Sequence, residues 1–337
     1  MSDSVRAAVI GSGSWGTALA ALLAGKGYDT ALWSYEADVA RSVNEDHRNR
    51  YLEGVTLPDR LWATTDMSDA LAQARLVVSV SPSQFVGRVM AQAAPHLHDG
   101  AVLVSASKGI ELDTLRRMDE VLGEVMPASV MDRFAVLSGP SFAAEVARQA
   151  PTAVVAASRE AEVGLQVQEW FQTPYFRVYT NPDVIGVELA GAVKNVMALA
   201  AGVAAGLGFG HNTLAALITR GLAEMTRLGL AMGARKATFS GLAGMGDLVL
   251  TCTGSLSRNR TVGYRLGQGE SLDAILGDMS AVAEGVKTSR AVRDLARRHD
   301  VEMPIAEQVH AILHEGREPG EALRALMLRD PKPEEWS

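Results

Sequence analysis

Short apolar runs rich in β-branched residues alternate with helical patterns through the first half of the chain. Buried strands are predicted for five of these runs, at 7–10, 30–33, 76–80, 101–105 and 134–137, with two further candidates at 153–157 and 176–179. Strands that alternate with helices in this way are typical of βαβ units. The pattern therefore predicts an α/β fold with a doubly wound, mostly parallel sheet.

The pattern changes after Val184, where apolar positions follow helical spacing and β-branched runs become rare. Glycine-rich interruptions at 206–210 and 267–269 separate the predicted helices. We expect a sheet domain over residues 1–183, followed by an all-α C-terminal domain over 184–328. The charged, proline-containing end at 329–337 is predicted to fray.

Composition and charge narrow the class of protein. Of the 337 residues 47% are hydrophobic and 21% are charged, a mix typical of globular chains, and the net charge of −7 offers no general attraction for nucleic acid. A single cysteine, Cys252, fits a reducing compartment. The start of the chain has no secretory pattern, so we expect a cytoplasmic protein. The uncharged stretch 196–210 is too short for the ~20 residues of a membrane span.

A glycine-rich turn with the spacing GxGxxG follows the first predicted strand and opens a helix. In this setting Gly11 permits the tight turn, Gly13 lets a pyrophosphate approach the backbone, and Gly16 lets the helix pack on the strand. The free N–H groups at the helix start then bind phosphate. This context indicates a Rossmann-type dinucleotide site; the alternative is a glycine-rich turn that binds nothing.

The end of the second strand normally distinguishes NAD from NADP. A carboxylate there binds the ribose 2′-hydroxyl, whereas an arginine accommodates a 2′-phosphate. The sequence offers Ser34, Tyr35 and Glu36, with Arg41 further along. Glu36 is as much a candidate ribose ligand as an ordinary carboxylate at a helix start, so the cofactor preference stays open.

Three small polar loops follow later strands, at 81–84, 107–109 and 138–143. Ligands of doubly wound sheets lie beyond the carboxyl ends of the strands. Lys108 is the only charged residue in its loop, so it is a candidate to face a phosphate or a carbonyl group. The alternative is an ordinary surface lysine.

Lys194 and Asn195 stand within an otherwise almost entirely apolar predicted helix. A buried ammonium needs a partner, and burial favours its neutral form, which suits proton transfer. Lys194 is therefore the leading acid/base candidate. The alternative is that its side chain extends to the surface from a partly buried helix.

A second group of polar residues lies between 241 and 260. If Asp247 begins a helix, Thr251 lies one turn along on the same face, and the carboxylate could hold the ammonium of Lys194. Ser257 is a candidate N-cap that would place Arg258 and Asn259 in the first turn, an arrangement that suits a phosphate. The alternative treats these residues as helix caps and solvent-facing side chains. The seven histidines show no metal-ligand spacing, so we predict no metal.

In combination these residues resemble bacterial-type NAD(P)-dependent glycerol-3-phosphate dehydrogenases. The resemblance extends from Gly11 to about Gly316. It rests on five motifs in order, at 11–20 (GSGSWGTALA), 107–111 (SKGIE), 137–143 (LSGPSFA), 188–196 (ELAGAVKNV) and 241–260.

The resemblance implies reversible reduction of dihydroxyacetone phosphate to sn-glycerol 3-phosphate for phospholipid synthesis, with NAD(P)H as cofactor and a homodimer as the assembly. Implied catalytic residues are Lys194, Asp247, Lys108 and Thr251. Implied cofactor contacts are Gly11, Gly13, Ser14, Trp15, Gly16, Ser34, Tyr35, Lys108, Ala143, Arg258, Val282 and Glu284. Implied substrate contacts are Lys108, Gly139, Ser141, Lys194, Asn195, Asp247, Ser257, Arg258 and Asn259.

One departure from the family pattern concerns the cofactor. The family often has a basic residue at the end of the second strand, where Ser34 and Tyr35 stand here.

Two other functions are alternatives to glycerol-3-phosphate dehydrogenase. A ketopantoate-type reductase shares the nucleotide domain and the Lys-Asn pair but needs the phosphate-binding segment less, and a silent dinucleotide sensor leaves Lys194 without a role.

Overall fold

The β-branched runs of the first half pair into one eight-stranded sheet, in the order β3-β2-β1-β4-β5-β6-β7-β8. Neighbouring strands are parallel except β6 and β7, which are antiparallel. The predicted α/β fold with a doubly wound, mostly parallel sheet is confirmed. The strands are β1 (Arg6–Ile10), β2 (Asp29–Trp33), β3 (Leu61–Thr64), β4 (Leu76–Ser79), β5 (Val102–Ser105), β6 (Phe134–Ser138), β7 (Thr152–Ala157) and β8 (Phe176–Asn181).

The computed structural model of the chain describes residues 5–279, 283–331 and 333–334. The chain divides into a first unit, Met1–Lys108 with Arg117–Val184, and a second unit, Gly109–Arg116 with Ile185–Ser337. The short segment Gly109–Arg116 lies within the predicted domain 1–183. It groups with the second unit because Ile110 is buried in the apolar core of that unit.

Helices cover the sheet of the first unit, and their apolar faces pack with the strands into one core. The helix α1 is almost wholly apolar and is buried over most of its length. The helices are α1 (Ser14–Gly25), α2 (Ala37–Asp46), α3 (Met67–Leu71), α4 (Val86–Ala93), α5 (Met118–Val125), α6 (Ala128–Met131), α7 (Ala143–Ala147) and α8 (Ala161–Phe171).

The regular elements described after Ile185 are all helical, as the spacing predicts. Helices α9 (Val184–Gly206), α10 (His211–Ala231), α11 (Lys236–Phe239), α12 (Asp247–Thr253), α13 (Arg258–Gly267), α14 (Leu272–Gly277), α15 (Glu284–Arg298), α16 (Pro304–His314) and α17 (Pro319–Met327) form this unit. A π-helical turn, Leu242–Gly246, precedes α12. Part of the tail predicted to fray, residues 332 and 335–337, lies outside the described residues.

The helix α9 is long and apolar enough to cross a membrane by length and composition alone. Its most apolar window is 89% buried inside the protein. That degree of burial is typical of a core helix, and α9 contributes many side chains to the core of the second unit.

Two pairs of glycines bring α9 and α13 together backbone against backbone. Gly202 and Gly206 lie one turn apart on α9, and Gly263 and Gly267 lie one turn apart on α13. A Cβ atom at Gly202 would lie 2.1 Å from the carbonyl oxygen of Arg260, and one at Gly206 would lie 2.9 Å from the Cα of Gly267. No side chain larger than hydrogen fits between these two helices at the crossing.

Candidate functional site

The glycine-rich turn has the conformation that its sequence predicts. Gly11 has φ +126°, and a Cβ there would lie 3.0 Å from the backbone of Val80. A Cβ at Gly16 would lie 1.9 Å from the carbonyl oxygen of Gly11, so Gly16 allows the close packing of α1. Gly13 is exposed, and a Cβ there would meet nothing within 4 Å. Open space at this position suits a ligand that approaches the backbone.

The start of α1 fits an anionic group. Ser14 is the first residue of this twelve-residue helix, and its first turn holds no acidic residue. Helix N–H groups and the helix dipole favour negative charge there. The indole Nε1 of Trp15 is buried without a hydrogen-bond partner among the described residues, which leaves one donor for a ligand. These residues could hold the pyrophosphate of a dinucleotide.

The residues at the end of β2 have distinct surroundings. Ser34 is buried, and its Oγ lies 2.7 Å from that of Ser12 and 3.0 Å from the Glu36 carbonyl oxygen. Its hydroxyl is therefore engaged within the turn. Tyr35 is 85% exposed, and Arg41 lies exposed on α2. The Glu36 carboxylate accepts hydrogen bonds from two side chains of a later loop that the sequence did not single out.

Those two side chains are Arg50 and Tyr51. Arg50 Nη2 lies 2.6 Å from Glu36 Oε1, and the Tyr51 hydroxyl donates to the same oxygen over 2.9 Å. Arg50 also forms an ion pair with Asp38 on α2. The loop carries no local motif, so the sequence offers no signal for this contact.

The polar loops after β4, β5 and β6 meet at the carboxyl ends of these strands, as their place after parallel strands predicts. Lys108 Nζ donates to the carbonyl oxygen of Gly139 over 3.1 Å, and the Ser141 hydroxyl donates to the same oxygen over 2.9 Å. The Ser107 hydroxyl donates to the carbonyl oxygen of Ser81 over 2.6 Å. Three predicted substrate contacts therefore lie together, and Ala143 begins α7 directly after them.

In the second unit, Lys194 forms a buried ion pair. Its Nζ lies 2.5 Å from Asp247 Oδ1 and 2.9 Å from Thr251 Oγ1, and these residues are only 6%, 1% and 5% exposed. Asp247 begins α12, and the Thr251 hydroxyl lies one turn along, 2.6 Å from the Asp247 carbonyl oxygen. The predicted pairing is confirmed, and the alternative of a surface-directed Lys194 is wrong.

A chain of amide hydrogen bonds links three helices next to this pair. Asn259 Nδ2 donates to Asn195 Oδ1 over 2.9 Å, and the backbone N–H of Gly285 donates to Asn259 Oδ1 over 2.9 Å. The predicted N-cap is also confirmed, because Ser257 Oγ accepts from the backbone N–H of Arg260 over 3.2 Å. Asn195 and Asn259 therefore fix the starts of α13 and α15 against α9.

Arg258 lies exposed in the first turn of α13. Desolvation by nearby protein lowers the pKa of its guanidinium, and the charge of Glu284 at the start of α15 opposes that shift. An arginine stays charged at any physiological pH. Arg258 therefore offers a cation beside a helix start, and the predicted cofactor contact Val282 lies outside the described residues.

The described residues contain no group of three or more His, Cys, Asp or Glu side chains that could hold a metal ion. Cys252 is fully buried on α12, and burial raises the pKa of its thiol to about 12. An uncharged thiol of this kind packs as a small apolar side chain.

A glycine-rich turn of this geometry on a doubly wound sheet, in a chain whose helical unit holds a buried lysine–aspartate ion pair, indicates a nicotinamide-dinucleotide-dependent dehydrogenase. Comparison with known proteins makes the class specific. Residues 6–164 match the model of the NAD-dependent glycerol-3-phosphate dehydrogenase N-terminus, and residues 183–324 match that of the C-terminus. The chain belongs to this family.

Individual relatives agree along the whole chain. The chain is 58% identical over 334 residues to the glycerol-3-phosphate dehydrogenase (NAD(P)+) of Geobacter sulfurreducens, which covers 99% of this chain and 100% of the relative. It is 59% identical over 327 residues to that of Geobacter metallireducens, covering 97% and 98%. The crystal structure of the Coxiella burnetii glycerol-3-phosphate dehydrogenase superposes with a TM-score of 0.92 at 40% identity, covering 96% and 99%.

Proposed function

We propose that this chain catalyses the reversible, NAD(P)H-dependent reduction of dihydroxyacetone phosphate to sn-glycerol 3-phosphate, and so supplies glycerophospholipid synthesis. The observation that carries the proposal is the buried contact of Lys194 with Asp247 and Thr251. Family membership and the names of the relatives support the substrate.

A bound nicotinamide dinucleotide would supply the hydride for the ketone carbon. The glycine-rich turn and the start of α1 would hold its pyrophosphate, because Gly13 leaves open space for it and the indole N–H of Trp15 has no hydrogen-bond partner among the described residues. Lys108, bonded to the Gly139 carbonyl oxygen, is proposed to serve substrate and cofactor from the edge of the sheet. The residues present therefore fit the cofactor.

Lys194 is the proposed general acid of the reduction. Its ammonium donates a proton to the oxygen of the ketone as negative charge develops there, and in the reverse direction the amine accepts the hydroxyl proton. Asp247 and Thr251 hold Nζ in one place and stabilise its charged form. Because all three side chains are buried, water competes little for this proton.

The start of α13 is the proposed phosphate site. The guanidinium of Arg258 and the N–H groups of the first turn bind the phosphate, and Ser257 caps the helix so that the turn keeps its shape. Asn259 is bonded on both sides, to Asn195 and Gly285, and positions this helix start. Binding energy from the phosphate then orients the reacting carbon.

Steady-state assays of NADH and NADPH oxidation test the proposal. We expect turnover with dihydroxyacetone phosphate and little with ketopantoate, which lacks the phosphate. Replacing Arg258 by alanine should lower kcat/KM for dihydroxyacetone phosphate by ~10–100-fold, as the loss of a charged hydrogen bond of about 1.5–3 kcal/mol implies. The slow turnover of unphosphorylated dihydroxyacetone should fall much less, because only the implied contact of Arg258 with the cofactor affects it.

The matched control is Arg298→Ala, at an exposed position in the last turn of α15. It should change neither rate. Equal loss with both ketones in Arg258→Ala would contradict the phosphate site. Faster turnover of ketopantoate would favour the ketopantoate-type reductase, and dinucleotide binding without turnover of any ketone would favour the sensor.

We also propose that the protein acts in the cytoplasm as a homodimer, as its resemblance to the family implies. Size-exclusion chromatography with light scattering measures the mass of the assembly directly. A mass near twice 35.8 kDa is the expected result, and a mass of one chain would contradict it.

A further inference from the structure

A short loop directly after Lys108 belongs to the second unit, although the chain on both sides of it belongs to the first. The first unit includes the chain up to Lys108 and resumes at Arg117, and residues 109–116 between them group with the helices. We call these residues the 109–116 loop. Lys108 is therefore the residue at which the chain leaves the first unit.

Ile110 fixes the start of the 109–116 loop in the second unit. Its side chain is fully buried and belongs to the apolar core to which α9, α15 and α16 contribute. Leu112 and Leu115 are partly buried and pack against the same core. Burial of apolar surface stabilises these contacts. Of the three apolar side chains, that of Ile110 is the most deeply buried and the nearest in sequence to Lys108.

The 109–116 loop also has a defined backbone shape. The N–H of Glu111 donates to the carbonyl oxygen of Arg116 over 2.9 Å, and the N–H of Leu115 donates to the carbonyl oxygen of Glu111 over 3.0 Å. Leu115 has φ +61°, in the left-handed region that few side chains adopt. These hydrogen bonds close the loop on itself. Ile110 therefore stands at the end of a compact structure and not in a free strand of chain.

The side chain of Lys108 is held in the first unit. Its Nζ donates to the carbonyl oxygen of Gly139 over 3.1 Å. Only Gly109 separates Lys108 from Ile110, and two residues of extended chain span at most about 7 Å. A displacement of Ile110 is therefore passed to the backbone of Lys108 over a very short length of chain.

We infer that Ile110 is a positioning residue for Lys108. Its burial in the core of the second unit sets the backbone at residue 108, and the hydrogen bond to Gly139 sets the direction of the ammonium. The inference rests on the proposed function in that Lys108 serves the substrate from this place. A displacement of about 1 Å in a group that positions the substrate can lower the rate ~10²-fold. An apolar side chain two residues away therefore affects turnover.

Ile110→Ala removes most of this side chain, and Ile305→Ala is the matched control. Ile305 is buried in the same core, on α16, which carries none of the implied site residues. Both variants lose the same atoms from one core, so their urea denaturation midpoints should fall by similar amounts. Where both are folded, Ile110→Ala should lower kcat/KM for dihydroxyacetone phosphate by about tenfold or more, and Ile305→Ala by less than about twofold.

A double-mutant cycle with Lys108→Ala shows whether this loss passes through Lys108. Once the ammonium is absent, Ile110→Ala should lower kcat/KM no further. Valine variants give the same comparison if an alanine variant does not fold. Ile110→Val removes one methyl group and should lower kcat/KM less than Ile110→Ala does, but more than Ile305→Val.

Hydrogen exchange of residues 106–111, followed by mass spectrometry, tests the positioning without turnover. Exchange there should be faster in Ile110→Ala than in Ile305→Ala. Equal exchange in the two variants, equal losses of kcat/KM, or independent losses from Ile110→Ala and Lys108→Ala in the cycle would each overturn the inference.

Failure of the proposed function is a separate outcome. A chain that does not reduce dihydroxyacetone phosphate loses the proposed function, and the exchange experiment then decides whether Ile110 fixes the backbone at residue 108. A chain that reduces this ketone, with equal losses in Ile110→Ala and Ile305→Ala, keeps the function and loses the inference.

Discussion

Replacing Lys194 by methionine removes the proposed proton donor and keeps an unbranched side chain of similar length. The change leaves Asp247, which is 1% exposed, without the cation that lies 2.5 Å away. Loss of one partner from a buried ion pair lowers the free energy of unfolding by about 3–5 kcal/mol. A loss of activity in this variant alone would therefore mix chemistry with stability.

The double variant Lys194→Met with Asp247→Asn separates the two effects. It removes both charges, and the Thr251 hydroxyl keeps its acceptor because it lies 2.6 Å from the backbone carbonyl oxygen of residue 247. The free energy of unfolding, measured by urea denaturation, should recover most of the loss. The turnover number for dihydroxyacetone phosphate should stay at least ~10²-fold below wild type, which corresponds to about 2.7 kcal/mol of barrier.

Absorbance assays of NADH oxidation at saturating ketone measure the turnover number, and nucleotide fluorescence measures the Kd for NADH. We expect an unchanged Kd, because Lys194 is proposed to contact the ketone and is not among the implied cofactor contacts. A stable double variant with turnover close to wild type would refute the assignment of Lys194 as the proton donor. Asp247 and Thr251 would then have only a structural role.

Three further predictions concern stability, the pH dependence of stability and the phosphate site. Gly202→Ala should lower the free energy of unfolding by about 1–3 kcal/mol, because the added methyl group overpacks against the Arg260 carbonyl oxygen. The control Gly123→Ala has open space around it and should be neutral or slightly stabilising. Equal changes of the two variants in thermal melts would refute this prediction. Burial raises the pKa of the Glu224 carboxyl from 4.5 to about 8. Between these pH values the carboxyl is ionised in the unfolded state and protonated in the folded state, so the free energy of unfolding should fall as pH rises and level off above pH 8. The same fall in the Glu224→Gln variant would contradict this prediction. Ser257→Ala removes the N-cap hydrogen bond and should lower the free energy of unfolding by about 1 kcal/mol. It should raise KM for dihydroxyacetone phosphate but not KM for NADH. An unchanged KM for the ketone would argue against a phosphate site at the start of α13.

Most of the sheet was predictable because its strands are buried apolar runs. The exception is β3, Leu61–Thr64, which the sequence pattern does not predict. This edge strand has four residues, and buried and partly buried positions alternate along it. The side chain of Asn44 pairs with the backbone of Ala63 through two hydrogen bonds of 2.8 Å. Asn44 takes the place of a neighbouring strand beside β3. Because it is distant in sequence, it leaves no local pattern around residues 61–64.

The candidate site shows the same division between local and distant contacts. Lys194 was predictable because a charge within an apolar helix needs a partner, and Asp247 and Thr251 because they lie one helical turn apart. The bond between Asn195 and Asn259 joins residues 64 positions apart, and that between Arg50 and Glu36 joins a loop to the N-cap residue of α2. Spacing within an element reveals partners on one face, whereas contacts between elements depend on the packing of the whole unit.

The glycine crossing of α9 and α13 has a consequence for substrate length. The proposed proton donor Lys194 stands on α9 and the proposed anion site at Arg258 stands on α13. The two helices contact each other through backbone atoms where they cross. Side-chain substitutions elsewhere alter this contact little. The backbone therefore fixes the distance between Lys194 and the anion site. We therefore expect the enzyme to reject phosphorylated ketones that have one more carbon between the carbonyl group and the phosphate, because their two ends no longer match the distance between the two groups.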